Sequence, residues 1–401
     1  MPVSSRRAAA AIAALVVGGF AIGTTEFVTM GLLPQIAEGI GTDIPTTGHT
    51  ISAYALGVVV GAPLIAVRFA RYPRKGLLMA LMGLFTIGNA ASALAPGYAT
   101  MLGARFVTGL PHGAFFGLAA LVAASLVKPA HRGRAVGRIM LGIPAANVLG
   151  VPATTWLGQV AGWRTTYAVI ALLGLLTAAL VALAVPRRSG DATATGRREL
   201  RALRNPALWL SMLAGALGFG GMFAMYSYIA PTVTQVTGQP GSSVPLFLLV
   251  YGLGGLVGAE LAGRVAERSV FGGVVAGFAL MALVLATFWL TSQWLVPALL
   301  TLACSAVVAS LLVVNLQLQL MHDAGPAETL GAALNHSALN IANALGAWVG
   351  GLVIAAGHGY RAPSLAGAAL ALVGLACLAV YRVVETRRRE EDSQEAVGAA
   401  T

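Results

Sequence analysis

From Ala8 to Leu33 the chain is apolar or small except for one charge, Glu26, and its threonine neighbours. Further runs like this follow to the far end, and each exceeds the roughly 18 residues a helix needs to cross a bilayer core. Few folds are open to such a chain. Inside hydrocarbon every backbone N–H and C=O must find a partner within the protein, which leaves spanning helices or a closed barrel. Continuous apolar runs, rather than alternating ones, select helices. Charged residues make up only 10% of the 401, against about a quarter in a soluble domain. Arg6 and Arg7 ahead of the first run resemble the flank of a secretory leader. The run is too long for a leader and more spans follow, so it reads as the first span.

Breaks of Pro, Gly and charge divide the chain into twelve spans near 9–34, 47–67, 76–95, 99–126, 136–160, 165–185, 207–231, 244–263, 270–291, 294–320, 329–356 and 363–384. The one long polar connector, PRRSGDATATGRRELRALRNP, separates spans six and seven. The expected organisation is a six-helix bundle over 1–186, a cytoplasmic linker over 187–206, a second bundle over 207–386 and a cytoplasmic tail over 387–401. All 25 basic residues except Arg105, Arg164 and Arg361 fall at the termini or in loops on the termini's side. Such an excess marks the cytoplasmic face, so both termini are expected inside a cell's inner or plasma membrane. The net charge of +11 is then a topology signal and needs no nucleic-acid partner. Cys304 and Cys377 lie in apolar runs and frame no disulfide.

The halves repeat. Ala146-Asn147-Val148-Leu149-Gly150 returns as Ala342-Asn343-Ala344-Leu345-Gly346, 196 positions later, and at the same offset Arg68 matches Arg264 and Gly76 matches Gly272. Six spans per copy put both copies in the membrane in the same direction, the parallel duplication of transporters whose halves rock about a central site. The fold class expected is an all-α membrane protein of twelve helices in two pseudo-symmetric bundles.

Several strings resemble the major facilitator superfamily. Its span-four arginine motif is matched by Arg105-Phe106-Val107-Thr108-Gly109, and its antiporter motif by Asn147-Val148-Leu149-Gly150-Val151-Pro152. The basic loop RFARYPRKG, with Arg68 and Arg71, stands where the superfamily has its loop motif. TTEFVTMGLLPQIA, TGHTISAYALGVVVGAPLIA and GLPHGAFFG are similar to its twelve-span drug:proton antiporter branch, which includes arabinose, purine-nucleoside and chloramphenicol exporters. The arabinose-efflux type is the nearest. The resemblance implies proton-coupled export, a monomer, a conformational role for Asn147, Gly150, Pro152, Arg68 and Arg71, and no cofactor beyond a proton gradient. Two positions depart from it. Ala70 replaces the loop's acid, so no interdomain lock is built there, and Val151 interrupts the antiporter motif's Gly-Pro pair.

Charges inside a membrane face a partner or water. At 1.5 Å per residue Glu26 lies about 25 Å from the cytoplasmic edge and Arg105 about 9 Å from the opposite one. The two are expected to meet at similar depth and to interact. Glu26 could then carry a proton between the faces, or serve only as half of a static pair. His112, two turns past Arg105, fits a proton relay, a solute contact or a cap on a carbonyl freed at Pro111. The second half shows no acid deep in a span. Asn315 and Gln319 in span ten, with Tyr226 and Tyr228 in span seven, are the candidate solute contacts, while His336, Asn340 and Asn343 in span eleven read as glue between helices. Glu260 and Arg264 form an i,i+4 pair. No nucleotide loop, metal-spaced His/Cys cluster or nucleophile elbow occurs. The sequence thus points to export of a sugar, nucleoside or drug against protons. A facilitator or symporter, and a transporter-like sensor, are the alternatives.

Overall fold

The computed structural model describes residues 5–69, 72–128, 131–186 and 203–398. The described residues form helices and no strands. Twelve long helices run in chain order: α1 (Ser5–Gly31), α2 (Ile44–Phe69), α3 (Arg74–Ala93), α4 (Tyr98–Leu126), α5 (Arg134–Ala161) and α6 (Trp163–Ala184). The second set is α7 (Pro206–Tyr226), α8 (Val244–Arg268), α9 (Val270–Thr291), α10 (Leu295–Asp323), α11 (Glu328–Val353) and α12 (Ala362–Gly398). Eleven of them are long and apolar enough to cross a membrane, and the 26-residue α2 completes the set. Arg71, Ala70 and linker residues 187–202 lie outside the described residues.

Local sequence sets the helix ends. Asp43 accepts the N–H of Thr46 at 2.7 Å and so caps α2. Hydrogen bonds from Thr46 hold the Asp43 carboxyl below the usual carboxylate range. Asn205 caps α7 by accepting the Ala207 N–H at 3.1 Å, with Pro206 in the first turn. Span one, read as reaching residue 34, is broken earlier. A separate short helix, Leu33–Ile40, begins with Pro34 in its first turn and ends at Gly41, whose φ of 71° is left-handed.

The apolar core has two centres. One contains only residues between Ala8 and Val185. The other is built from Leu208 to Leu378 and takes in Met30, Leu33, Ile51 and Val151 from the first half.

The repeat has a structural meaning. Gly150 of α5 packs on Thr24 and Phe20 of α1, and its counterpart Gly346 of α11 packs on Gly220 and Ala224 of α7. A side chain at either position would collide with the neighbouring helix, so close approach requires glycine there. Two seams join the halves in matching fashion. Gly252 of α8 lies on the Asn147 carbonyl of α5, where a Cβ would stand 2.6 Å from the oxygen. Across the other seam the Ser52 hydroxyl of α2 donates to the Ala344 carbonyl of α11 at 2.9 Å. The two copies differ in one respect. Residues Ala146–Gly150 form a π-helical turn, whereas α11 is continuous α-helix to Val353. Pro152 follows the π turn and lacks an N–H to continue the ladder.

On the side away from the termini the halves meet closely. Gln159 donates to the Gly241 carbonyl at 2.7 Å. The Tyr228 ring lies between Gly48 of α2 and Gly351 of α11, and its hydroxyl donates to the Ala347 carbonyl at 2.7 Å.

Candidate functional site

Glu26 sits in the outer part of α1, five residues before its end at Gly31, and is 7% exposed. Its neighbour Thr25 is the anchor for Arg105, which is fully buried. The guanidinium donates to the Thr25 hydroxyl at 3.1 Å and to the Thr25 carbonyl at 3.0 Å. The Thr25 hydroxyl in turn donates to Asn89 of α3 at 2.6 Å. Rings from two further helices cover the guanidinium, Tyr54 of α2 at 4.4 Å and Tyr167 of α6 at 5.6 Å. Arg105 therefore ties five helices together around one planar fork, a role suited to arginine.

The expected ion pair between Glu26 and Arg105 does not close. A salt bridge does close within 4.0 Å between Arg264 and Glu260, the exposed i,i+4 pair, at 3.3 Å. Successive residues of a helix point about 100° apart, so a fork held by Thr25 reaches the acid beside it only at longer range. Arg105 still acts electrostatically on Glu26.

His112 is buried, and its Nδ1 lies 2.9 Å from the Tyr54 hydroxyl. The ring is thereby tied to α2 through Tyr54. A connected series thus leads from Glu26 through Arg105 and Tyr54 to His112. It continues across the seam, because Phe116 lies 5.4 Å from His112 and stacks on His336 of α11 at 6.3 Å. Tyr54 was not anticipated from the sequence. It stands in the quoted stretch TGHTISAYALGVVVGAPLIA, as one aromatic polar tip among small residues.

The second half faces the acid with aromatic rings and one amide. Phe27 stacks on Phe223 at 6.4 Å and meets Tyr226 edge-on at 6.3 Å. Tyr226 is itself stacked on Tyr251 at 4.1 Å, so it stands at the seam near Glu26 as part of an aromatic wall. Phe223 lies against Gly346, one turn beyond Asn343, and the Asn343 carboxamide lies near the Glu26 carboxyl without a closed hydrogen bond.

Three other candidates are turned elsewhere. Tyr228 spends its hydroxyl on Ala347 and forms the clasp described above. Asn315 donates to the Leu311 carbonyl at 2.9 Å, and its Oδ1 side lies against Gly273 of α9, inside the second bundle. Gln319 donates to Asp323 at 3.0 Å and to the Tyr381 hydroxyl at 2.9 Å. For Asn315 and Gln319 a local acceptor inside the bundle has captured the amide. Arg68 is exposed, 5.8 Å over the Phe69 ring, while Asn147, Gly150 and Pro152 lie in and beside the π turn at the α5–α8 seam.

The second half does hold a buried acid, Asp323, at the end of a span rather than deep in it. Span ten reaches further than residue 320, and Asp323 is 7% exposed in its last turn. It accepts from Ser211 of α7 at 2.6 Å, from Gln319, and from Tyr381 of α12 at 2.8 Å. The spacing of Gln319 and Asp323, i and i+4, was the available signal. Asp323→Ala strands all three donors and is expected to cost roughly 2–4 kcal/mol, against about 1 kcal/mol for Gln319→Ala. Thermal denaturation in detergent measures both. Gln319→Ala should leave solute affinity unchanged, and a large loss of affinity would restore Gln319 as a solute contact.

A family model described as Major Facilitator Superfamily matches residues 15–334. The chain is 40% identical over 370 residues to the inner membrane transport protein YdhP of Escherichia coli (strain K12), covering 92% of this chain and 94% of that one. It is 32% identical over 391 residues to a chloramphenicol resistance protein of Streptomyces lividans, covering 94% and 98% respectively. The fold is similar to a crystal structure of a bacterial homolog of the human lysosomal transporter Spinster, with a TM-score of 0.76, 16% identity and coverage of 94% and 98%.

Proposed function

Because the chain belongs to the Major Facilitator Superfamily and is a membrane transporter rather than an enzyme, we propose that it exports a small organic solute in exchange for protons. The observation that carries this reading is Glu26, a buried acid in the outer part of the first span that no cation pairs within 4.0 Å. Its nearest cation is committed to Thr25 and both halves of the molecule reach it. An acid so placed meets water from each face only as the halves rock, and can take a proton from one side and release it to the other. Tyr54 and His112 extend the path inward from Arg105.

The excess of basic residues on the termini's side supports cytoplasmic termini, and in that orientation the side fastened by Tyr228 and Gln159 is the outer one. The inner membrane of the relative and the resistance protein's name support export from a cell, with a drug, sugar or nucleoside as cargo. The transporter works as a monomer, with the proton gradient in place of a cofactor. Reconstitution in liposomes with an imposed pH gradient tests the reading. Counter-movement of protons and solute supports it. Gradient-independent equilibration makes the protein a facilitator, and binding without flux makes it a sensor.

A further inference from the structure

We infer that Asn343 of α11 is the residue through which the second half reads the charge state of Glu26, making and releasing a hydrogen bond across the seam. The inference rests on the proton reading above and gives it a mechanical link. Asn343 is fully buried, and neither its Oδ1 nor its Nδ2 has a hydrogen bond of ordinary geometry. Buried amides are rarely left so, because an unmet donor and acceptor are both expensive away from water. The Glu26 carboxyl lies within its electrostatic reach, although no hydrogen bond closes between them. Packing brings the same two segments together: Phe27, next to Glu26, stacks on Phe223, and Phe223 touches Gly346 one turn from Asn343.

A carboxamide is suited to this task. Its Nδ2 donates to a carboxylate and its Oδ1 accepts from a carboxylic acid, so it can engage either form. The two bonds differ in strength, since the one to the charged form is charge-assisted. A change in Glu26 therefore changes how strongly α11 is held to α1. The positions that follow Asn343 pass this on, because Ala344 is bonded to Ser52 of α2 and Ala347 to Tyr228, just beyond α7. The other titratable or charged groups facing this region are Arg105 and His112 of α4, Tyr54 of α2, Tyr226 of α7 and His336 of α11 itself. Arg105, His112 and Tyr54 belong to the first half and move with Glu26. The repeat supplies a control inside the molecule. Asn147 is the twin of Asn343, but at the offset of 196 the twin of Glu26 is Met222, so one seam has an acid to read and the other does not.

Spin labels at the exposed Arg132 and Arg268 report the separation of the halves on the termini's side in the full-length protein, with Cys304 and Cys377 replaced by Ala. In the unsubstituted seam the ratio of open to closed forms should change between acid and alkaline buffer. Asn343→Leu should reduce that change by roughly 10-fold or more, the factor a hydrogen bond to a charged group contributes. Asn343→Ala, which only removes atoms, is the companion should leucine overfill the seam. Asn343→Ser keeps a donor and acceptor and should restore part of the response. A full response in Asn343→Ala together with its loss in Glu26→Gln overturns the interlock and leaves the proton reading standing. A full response in Glu26→Gln overturns the proton reading itself.

Discussion

Glu26→Gln, reconstituted with an inward-directed proton gradient, is expected to lose uphill solute export by roughly 100-fold or more, the scale on which a positioned proton-transfer group acts. Glutamine matches the size of the acid and keeps an acceptor and a donor, so the packing around Thr25 and Phe27 should hold. What disappears is the ability to gain and lose a proton. Solute–solute exchange across the same liposomes needs only the rocking of the halves and should survive within a few-fold. This split separates a proton carrier from a structural acid. A Glu26→Gln protein that still concentrates solute against its gradient would place the proton elsewhere, and His112 and Asp323 would be examined next.

Arg105→Ala should be the most damaging single change in the first half. The side chain has no exposed surface, makes two hydrogen bonds to Thr25 and lies under Tyr54 and Tyr167. Removing it opens a cavity and leaves the Thr25 carbonyl without that donor. A loss of about 3 kcal/mol or more is expected from two charge-assisted bonds. Transport should fall below detection even in the fraction that folds. Arg105→Lys keeps the charge but cannot span hydroxyl and carbonyl at once, so it should recover stability only in part. Thermal melting in detergent, beside exchange assays, decides the matter. Arg105→Ala melting like the native protein would mean the five-helix junction is not held by this fork.

The spans were legible because hydrocarbon permits so little. A run such as Ala8–Leu33 can be satisfied as a helix and in almost no other way. Glu26, Arg105 and His112 were legible as candidates for the same reason, since charge in hydrocarbon is rare. Their partners were not. A one-dimensional reading gives depth, and Glu26 and Arg105 do share depth, but the direction of each side chain depends on its neighbours. Thr25, one residue from the acid, captured the guanidinium. Asn315 and Gln319 are turned inward on their own bundle in a similar way, because Leu311 and Asp323, each one turn away on the same helix, accept from their amides. Asp323 itself was hidden by a helix that runs three residues beyond its apolar stretch. Asn343 was legible as a repeated residue and as glue between helices, but not as a neighbour of Glu26, whose own twin in the repeat is Met222.

The repeat is also imperfect in a way that bears on how the halves swing. A π turn breaks the even ladder of α5 beside Pro152, while its twin stretch in α11 is unbroken α-helix. A ladder so interrupted bends more readily than an even one. Movement between the halves is therefore expected to open unevenly, as a door does, with α5 bending more than the middle of α11.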